Sequence, residues 1–176
     1  MPIITTRRHG VSAGTPPSTL HKPNSVKRNC IIGWSNDAIR RNISFLRTVY
    51  EPDLSGFGYA LTFTLRHCPP DYDAWQRLRT TLFKRLRRMG LIRLHWVTEW
   101  QRRGVPHLHI AAYFEHTIAQ ADFACAWVNN LADHFGAMHR CQYVETIHNA
   151  VGWFQYVSKH AARGLSHYQR SPDAVP

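Results

Sequence analysis

Hydrophobic and polar residues alternate along several stretches of the chain, which is the pattern of half-buried β-strands. The stretch FGYALTFTLR predicts a strand over residues 57–66. The stretches LIRLHWVTEW and VPHLHIAAYF predict two more, over 91–101 and 105–114, and HRCQYVETI predicts a short fourth strand at 139–147. Gly104 lies between the second and third strands and can adopt the left-handed conformation of a tight loop, so these two strands should form an antiparallel hairpin.

Apolar residues at helical spacing predict four helices between and around these strands. The first begins at Ser35 and ends before Pro52, and the second runs from Asp71 to Gly90. The third is expected over 117–136 and the last over 150–164, each ending at a glycine. The second helix is strongly basic.

From residue 57 onward the order is β-α-β-β-α-β-α, which is the split βαβ arrangement of ferredoxin-like and RRM-like domains followed by one more helix. The fold class is therefore predicted to be α+β with a central antiparallel sheet. One domain is expected over 34–166. Residues 1–33 contain prolines, glycines and basic residues but no acid, and predict a flexible basic arm, while 167–176 predict a flexible tail.

Composition narrows the function. The 176 residues are 44% hydrophobic, enough for one core, and carry a formal net charge of +11, which favours a polyanion such as nucleic acid as partner. A generally basic protein without such a site is the alternative. The four cysteines form no CxxC pair, and no signal peptide or apolar run of membrane-spanning length occurs, so we expect a cytoplasmic protein with reduced thiols and no membrane partner.

Two histidines of the third strand lie two residues apart and therefore share a face. With 12 histidines in the chain, roughly one such pair is expected by chance. His107 and His109 face a side that is predicted to be small, polar and open, whereas Leu108 and Ile110 face the core. Glu99 in the preceding strand alternates with Leu94, Trp96 and Trp100, which are predicted to be core residues.

Glu99 is thus expected on the histidine face, where two imidazoles and a carboxylate could hold a divalent metal with positions open for a substrate. A solvated strand carboxylate is the alternative for Glu99. In the last helix, Tyr156, Lys159 and His160 are three and four residues apart and line one face. A neighbouring ammonium and a metal would both favour the phenolate of Tyr156, which makes it a candidate nucleophile. A buried tyrosine with a satisfied hydroxyl is the alternative.

The stretches EWQRRGVPHLHIAAYF, YVSKHAAR and, more weakly, ALTFTL resemble, in this order, motifs of the HUH endonuclease superfamily, and within it the rolling-circle replication initiators of small phages and plasmids. The resemblance extends over residues 57–164. It implies a fold in which the central antiparallel sheet displays a metal and the C-terminal catalytic helix lays its tyrosine against that metal.

The resemblance also implies an activity, the nicking of single-stranded DNA at a replication origin. Tyr156 would become 5′-phosphotyrosyl and release a 3′-OH, while His107, His109 and Glu99 would hold Mg²⁺ or Mn²⁺. Lys159 would position the phosphate or assist Tyr156, and no ATP is needed because one phosphodiester replaces another. Since His160 stands where two-tyrosine initiators carry a second tyrosine, a single-tyrosine enzyme is predicted.

The expected substrate is single-stranded DNA, with an origin hairpin as the target and a host helicase and polymerase as candidate partners. DNA contacts are predicted at basic and histidine side chains of the second helix, the hairpin and the last helix, namely Arg85, Arg88, Arg102, Arg103, His160 and Arg163. Two alternatives stay open, an HUH single-strand transposase and a non-catalytic RRM-like nucleic-acid-binding module. A relaxase is disfavoured because the first thirty or so residues contain no tyrosine.

Overall fold

The computed structural model of the protein describes residues 3–8, 10–14, 36–101, 103–130 and 132–162, with side chains of the last helix described as far as Tyr156. The strands are β1 (Ile3–Arg7), β2 (Gly10–Gly14), β3 (Phe57–Thr64), β4 (Leu91–Trp100), β5 (Pro106–Phe114) and β6 (Tyr143–Thr146). The helices are α1 (Asn36–Leu46), α2 (Tyr72–Arg88), α3 (Gln120–Val128) and α4 (Ala150–Ala162). None of the helices in the described ranges is long and apolar enough to cross a membrane.

The central sheet has four strands in the order β4-β5-β3-β6, and every neighbouring pair is antiparallel. Strands β3 and β4 both run against β5, so they are parallel to each other and α2 forms the crossover between them. The turn between β4 and β5 contains Gly104 with a φ of 74°, as the hairpin prediction requires. The predicted α+β class and its ferredoxin-like central antiparallel sheet are confirmed.

Helices α2 and α3 cover one face of the sheet and form the hydrophobic core. Leu78, Leu82 and Leu86 lie one turn apart on α2 and are buried. The ring of Trp127 on α3 stacks on Phe63 of β3 with 5.4 Å between centroids. Helix α2 begins where the Asp71 carboxylate accepts a hydrogen bond of 2.6 Å from the Ala74 amide. Each buried leucine contributes about 1.5–3 kcal/mol by removal from water.

The opposite face of the sheet, which carries the histidines, is also covered. Helices α1 and α4 contact each other, and α4 contacts β4. Ala111 and Tyr113, which share this face with the histidines, are buried. The prediction of an open face is therefore wrong, because the alternation along the two strands does not show that α1 and α4 pack over this face. The sheet is sandwiched between two layers of helices.

Trp96 was predicted to be a core residue and is instead 38% exposed. It lies on β4, which is an edge strand, so one side of its ring has no neighbouring strand to cover it. The ring packs against Phe83 with centroids 5.8 Å apart, and the guanidinium of Arg79 lies 4.6 Å from its centroid. Leu94 and Trp100, predicted in the same set, are partly buried.

The third helix is shorter than the sequence predicted, since α3 ends at Val128 and a separate 3₁₀ turn (Ala132–Phe135) precedes Gly136. Just beyond the end of α3, the buried Nδ2 of Asn130 donates to the carbonyl of Leu78 at 2.9 Å and so links this segment to α2. The predicted strand over 139–147 is likewise reduced to β6, with a 3₁₀ turn at His139–Cys141 before it.

Strands β1 and β2 form an antiparallel hairpin in the region that was predicted to be a flexible arm. After β1, the guanidinium of Arg8 donates to Glu51 at 2.8 Å and lies 4.1 Å from the centroid of the Tyr50 ring. The composition did not predict this regular structure, because the strands contain few large apolar residues. The remainder of 1–33 and the predicted tail at 167–176 lie outside the described residues, so those limits stay predictions.

Candidate active site

The register of the sheet places the predicted metal ligands on one face. Glu99 of β4 lies opposite His107 of β5, and His109 lies between Val97 of β4 and Thr62 of β3. Residues directly opposite each other in antiparallel strands point to the same side of the sheet. The strand alternation therefore assigned the face of Glu99 and of both histidines correctly.

Glu99 and His109 form a close pair that is largely removed from solvent. The carboxylate Oε2 of Glu99 lies 2.9 Å from Nε2 of His109, and the two side chains are 11% and 4% exposed. The other ring nitrogen of His109, Nδ1, lies 3.1 Å from the hydroxyl of Thr62. Both ring nitrogens are engaged, so the imidazole of His109 is held in one orientation. A carboxylate can only accept, so Nε2 of His109 carries a proton that it donates to Glu99, while the Thr62 hydroxyl can donate to or accept from Nδ1.

His107 is held by a different neighbour. The side-chain amide nitrogen of Gln101 lies within hydrogen-bond distance of its ring nitrogens, 3.4 Å from Nδ1 and closer to Nε2. The amide oxygen of Gln101 accepts from Nε of Arg103 at 2.6 Å. Since arginine can only donate, this bond fixes the amide of Gln101 with its NH₂ group towards His107. Sequence reasoning missed Gln101 because its role depends on this tertiary contact.

Arg103 also ties the β4–β5 turn to the end of β3. Its guanidinium donates to the carbonyl of Leu65 at 2.5 Å, to the carbonyl of Arg66 at 2.8 Å and to the hydroxyl of Thr64 at 3.2 Å. Several of its donors are therefore used inside the chain. The predicted DNA contact of Arg103 stays a prediction.

The three predicted ligands fit a divalent cation only in part. Within the described ranges, no three His, Cys, Asp or Glu side chains converge on one point. Glu99 Oε2 and His109 Nε2, however, are 2.9 Å apart, close to the separation of neighbouring ligands about an ion with bonds of about 2.1 Å. The ring of His107 lies 5.8 Å from that of His109 and is turned towards Gln101. The donor chemistry suits a divalent cation, and the structure brings two of the three donors together.

Helix α4 brings the ring of Tyr156 into contact with the ring of His109. The ring of Tyr156 meets the ring of His109 edge-on, with centroids 5.9 Å apart and an interplanar angle of 77°. Trp153, nearly one turn earlier on α4, lies 5.7 Å from Tyr156 between centroids. The side chain of Tyr156 is 43% exposed, so the alternative of a buried structural tyrosine does not describe it. Tyr156 of the last helix contacts His109 of the β4–β5 hairpin, although the two residues are predicted from separate stretches of the sequence.

The other predicted site residues are placed as follows. Lys159 and His160 lie on α4, and their side chains fall outside the described part of the chain. Arg102 and Arg163 also fall outside the described residues. Arg85 donates to the carbonyls of Ala126 at 3.2 Å and Asn129 at 2.8 Å, which links α2 to α3, and Arg88 is exposed. The DNA contacts assigned to these residues stay predictions.

A cavity of about 610 Å³ adjoins Tyr156 on the side of β6. Ala60 and Thr62 of β3 contribute to it, together with residues of β6, the following loop and the first turns of α4. Thr62 lines the cavity and also contacts His109, so this one residue adjoins both the cavity and the Glu99–His109 pair. The candidate nucleophile therefore lies between a carboxylate–imidazole pair and an open cavity.

Two residues of this cavity were missed by sequence reasoning. The hydroxyl of Tyr143 on β6 donates to the carboxylate of Glu145 at 2.5 Å. This hydrogen bond is the main reason that the pKa of Tyr143 lies above its usual value, with smaller contributions from desolvation and from the charges of Glu145 and Tyr156. Tyr143 is therefore favoured as a phenol whose hydroxyl proton is directed at Glu145. The signal was present in the alternation of YVET, which puts both side chains on one face.

Comparison with known proteins points to replication. The sequence model of the family described as "Replication-associated protein ORF2/G2P" matches residues 58–161. The chain is 48% identical over 176 residues to "Replication-associated protein G2P" of Pseudomonas phage Pf3, which covers 96% of this chain and 62% of that protein. It is 49% identical over 180 residues to a protein of Xylella fastidiosa (strain 9a5c) that is named as a replication protein, covering 100% of this chain.

A third relative, from Xylella fastidiosa (strain Temecula1 / ATCC 700964), is 48% identical over 180 residues and is also named as a replication protein. The chain spans 62% to 66% of the length of these three relatives. No solved structure matches the chain.

Proposed function

The chain belongs to the replication-associated protein ORF2/G2P family, and on that premise we propose that it nicks single-stranded DNA at a replication origin to start rolling-circle replication. The nick passes through a 5′-phosphotyrosine on Tyr156. The observation that carries the proposal is the edge-on contact of Tyr156 with His109, 5.9 Å between ring centroids, beside the buried carboxylate of Glu99.

The proposed reaction exchanges one phosphodiester bond for another. The phenolic oxygen of Tyr156 attacks the scissile phosphorus, and a bond from that oxygen to phosphorus forms as the bond from phosphorus to the 3′ oxygen breaks. The phenolic proton is released to solvent, which the partial exposure of Tyr156 permits, and the departing 3′ oxygen takes up a proton. One phosphodiester bond replaces another, so cleavage needs no ATP and the reverse reaction rejoins the strand.

His107, His109 and Glu99 would hold Mg²⁺ or Mn²⁺, whose charge would neutralise the phosphate oxygens of the substrate. The chain's own residues prepare that arrangement. Thr62 and Glu99 hold the ring of His109, and Gln101 holds the ring of His107. His107 would join the other two ligands by turning away from Gln101. Lys159, nearly one turn beyond Tyr156 on α4, would position the phosphate.

The proposed substrate follows from charge and from the position of the site. The formal net charge of +11 favours a polyanion, and a strand must be unpaired for its phosphate to reach a tyrosine that is flanked by a sheet and a cavity. The released 3′-OH is a primer for a host polymerase. We propose a host helicase for strand separation, since these 176 residues contain no phosphate-binding loop of the GxxxxGK[ST] type.

Tyr143 supports the proposal of a single nucleophile. It lines the same cavity as Tyr156, yet its hydroxyl donates to Glu145 and its pKa is raised. In the proposed mechanism Tyr156 alone forms the covalent bond.

The test incubates the protein with single-stranded fragments that tile the replicon encoding it, in the presence of Mn²⁺, and separates the products on a denaturing gel. We expect a covalent protein–DNA adduct that is absent from Tyr156→Phe and retained by Tyr72→Phe, an exposed tyrosine on α2. An adduct in Tyr156→Phe would assign the nucleophile to another residue. The absence of any adduct from the native protein, with binding retained, would support the non-catalytic binding module instead.

A further inference from the structure

We propose that the cavity beside Tyr156 is a base pocket, which receives the unpaired nucleobase adjoining the scissile phosphate. Glu145 selects that base by accepting hydrogen bonds from its edge, and the preferred base is guanine. The inference rests on the proposed function, because it assigns the cavity to the same DNA strand that Tyr156 attacks.

The position of the cavity is the first argument. Tyr156 itself lines it, and so does Thr62, whose hydroxyl contacts His109. A phosphate within reach of the Tyr156 hydroxyl carries a nucleotide on either side, and the base of a nucleotide is covalently tethered close to its phosphate. The volume of about 610 Å³ lies in the range of pockets that enclose small ligands, so a nucleotide base and its sugar can be accommodated.

The charge of the cavity decides which part of the nucleotide it accepts. The residues that line it in the described part of the chain include the carboxylate of Glu145 but no Lys or Arg. The whole chain has 22 Lys and Arg residues, so basic groups for phosphate binding lie elsewhere. An anionic phosphate would be repelled by Glu145, whereas a neutral base would not. The cavity therefore favours the base over the backbone.

Aromatic rings of two different elements line the cavity. Trp153 and Tyr156 of α4 lie 5.7 Å apart with 35° between their planes, and Tyr143 on β6 is 56% exposed. Aromatic faces of this kind bind unpaired bases by stacking, whichever base is present. Stacking alone therefore supplies affinity, and discrimination among the bases must come from a polar group.

Glu145 is that group. The hydroxyl of Tyr143 donates to its Oε2 at 2.5 Å and so orients the carboxylate. An ionised carboxylate has about four acceptor positions on its two oxygens, so one bond from Tyr143 leaves capacity for a base. Guanine presents an N–H and an NH₂ group side by side, which match a carboxylate with two parallel hydrogen bonds. Adenine and cytosine present one amino group, and thymine presents one N–H between two carbonyls that a carboxylate repels.

The test uses the Tyr156→Phe protein, which keeps the aromatic ring but removes the proposed nucleophile. Its binding to fluorescein-labelled oligo(dT) of about ten nucleotides is measured by anisotropy at one salt concentration. The same oligonucleotide is also made with every third base replaced by guanine, adenine or cytosine. We expect the guanine oligonucleotide to bind about tenfold more tightly than oligo(dT), with adenine and cytosine between them.

A second substitution in the same background assigns that preference to Glu145. Glu145→Gln should reduce the guanine preference to about twofold, since the neutral amide loses the charge-assisted pair. Glu115→Gln, an exposed glutamate just after β5, is the matched control and should leave the preference unchanged. Tyr143→Phe should weaken the preference, because the carboxylate loses the donor that orients it.

A guanine preference that persists in Glu145→Gln, or the absence of a preference in a protein that binds oligo(dT), would overturn the base pocket. The covalent-adduct assay separates this result from a failure of the proposed function. An adduct without a Glu145-dependent preference would support the nicking reaction and contradict the base pocket. A Glu145-dependent preference without any adduct would support the base pocket and contradict the proposed nicking reaction.

Discussion

The two faces of the central sheet are both covered by helices, yet they are built from different side chains. The face towards α2 and α3 buries Phe63, Leu108 and Ile110, which need nothing but close packing. The face towards α1 and α4 buries His109 and most of Glu99, which are tolerated there because each has a hydrogen-bond partner. The comparison assigns the large apolar side chains to one face and the candidate site residues to the other.

Burial has electrostatic consequences on the histidine face beyond the site itself. Desolvation lowers the pKa of His95 and raises the pKa of Tyr113, so both are favoured in their neutral forms. His95 lies against α1, where its Nε2 is 3.2 Å from the side-chain oxygen of Asn42. His95 thus has a hydrogen-bond partner on α1, whereas the buried hydroxyl of Tyr113 has none among the described residues.

The largest predicted effect is the loss of nicking in His109→Ala, by about a thousandfold in the single-turnover rate, or about 4 kcal/mol. The substitution removes both the partner of Glu99 and the ring that meets Tyr156. Affinity for oligo(dT) without a divalent ion should change by less than about twofold, because it depends on phosphate contacts and stacking. An equal loss of binding and nicking would mean that this face binds DNA rather than acting on it.

On the face towards α2 and α3, the same comparison predicts a loss of stability without a loss of nicking. Leu82→Ala removes a fully buried side chain of α2 and should lower the free energy of unfolding by about 2–5 kcal/mol, measured by urea denaturation. Its nicking rate per folded molecule should equal that of the unsubstituted protein at a temperature where both are folded. A specific loss of nicking in the folded variant would show that the two faces are coupled.

A smaller effect is expected where the hairpin supports His107. Gln101→Ala should strengthen Mn²⁺ binding by about threefold, measured by electron paramagnetic resonance, because His107 then joins the other two ligands without first leaving the Gln101 amide. Arg103→Ala should act in the same direction and less strongly, because the amide of Gln101 loses the donor that fixes its NH₂ group towards His107. Unchanged Mn²⁺ affinity with weaker DNA binding would instead support the DNA contact predicted for Arg103.

The smallest predicted effect is a dependence of stability on pH through His95. Burial lowers the pKa of His95 in the folded protein below its usual value of about 6.5, so the unfolded chain takes up the proton first as the pH falls. Stability should be highest above about pH 6.5 and decrease from there down to the folded pKa, below which the loss is complete. His95→Gln should flatten this part of the urea-midpoint profile. An identical profile in the variant would show that other groups cause the dependence.

Local periodicity was enough to place the principal site residues. The faces of Glu99, His107 and His109 follow from the two-residue repeat of a strand, and the last helix was found from its apolar spacing. Residues whose surroundings depend on distant strands were not predictable in this way. Trp96 is exposed because β4 is an edge strand, which no local pattern shows.

The cavity was missed for the same reason. Tyr143 and Glu145 lie beside Thr62 and Ala60 only because β6 pairs with β3, some eighty residues earlier in the chain. The sequence places Gln101 at the end of a predicted strand but gives no sign of its contact with His107, because its orientation depends on Arg103, which reaches the end of β3. Long-range pairing supplied these neighbours, so the sequence predicted the candidate ligands and nucleophile but not the groups that hold them.

The most direct test locates the covalent bond on the protein. Trypsin cuts after Arg140 and Lys159, and the peptide between these cuts contains both Tyr143 and Tyr156. After reaction with single-stranded DNA and digestion by nuclease, fragmentation of this peptide in a mass spectrometer distinguishes the two tyrosines. A 5′-phosphonucleotide on Tyr156 is the expected result. The same mass on Tyr143, or on Tyr168 in the tryptic peptide 164–170, would contradict the assignment.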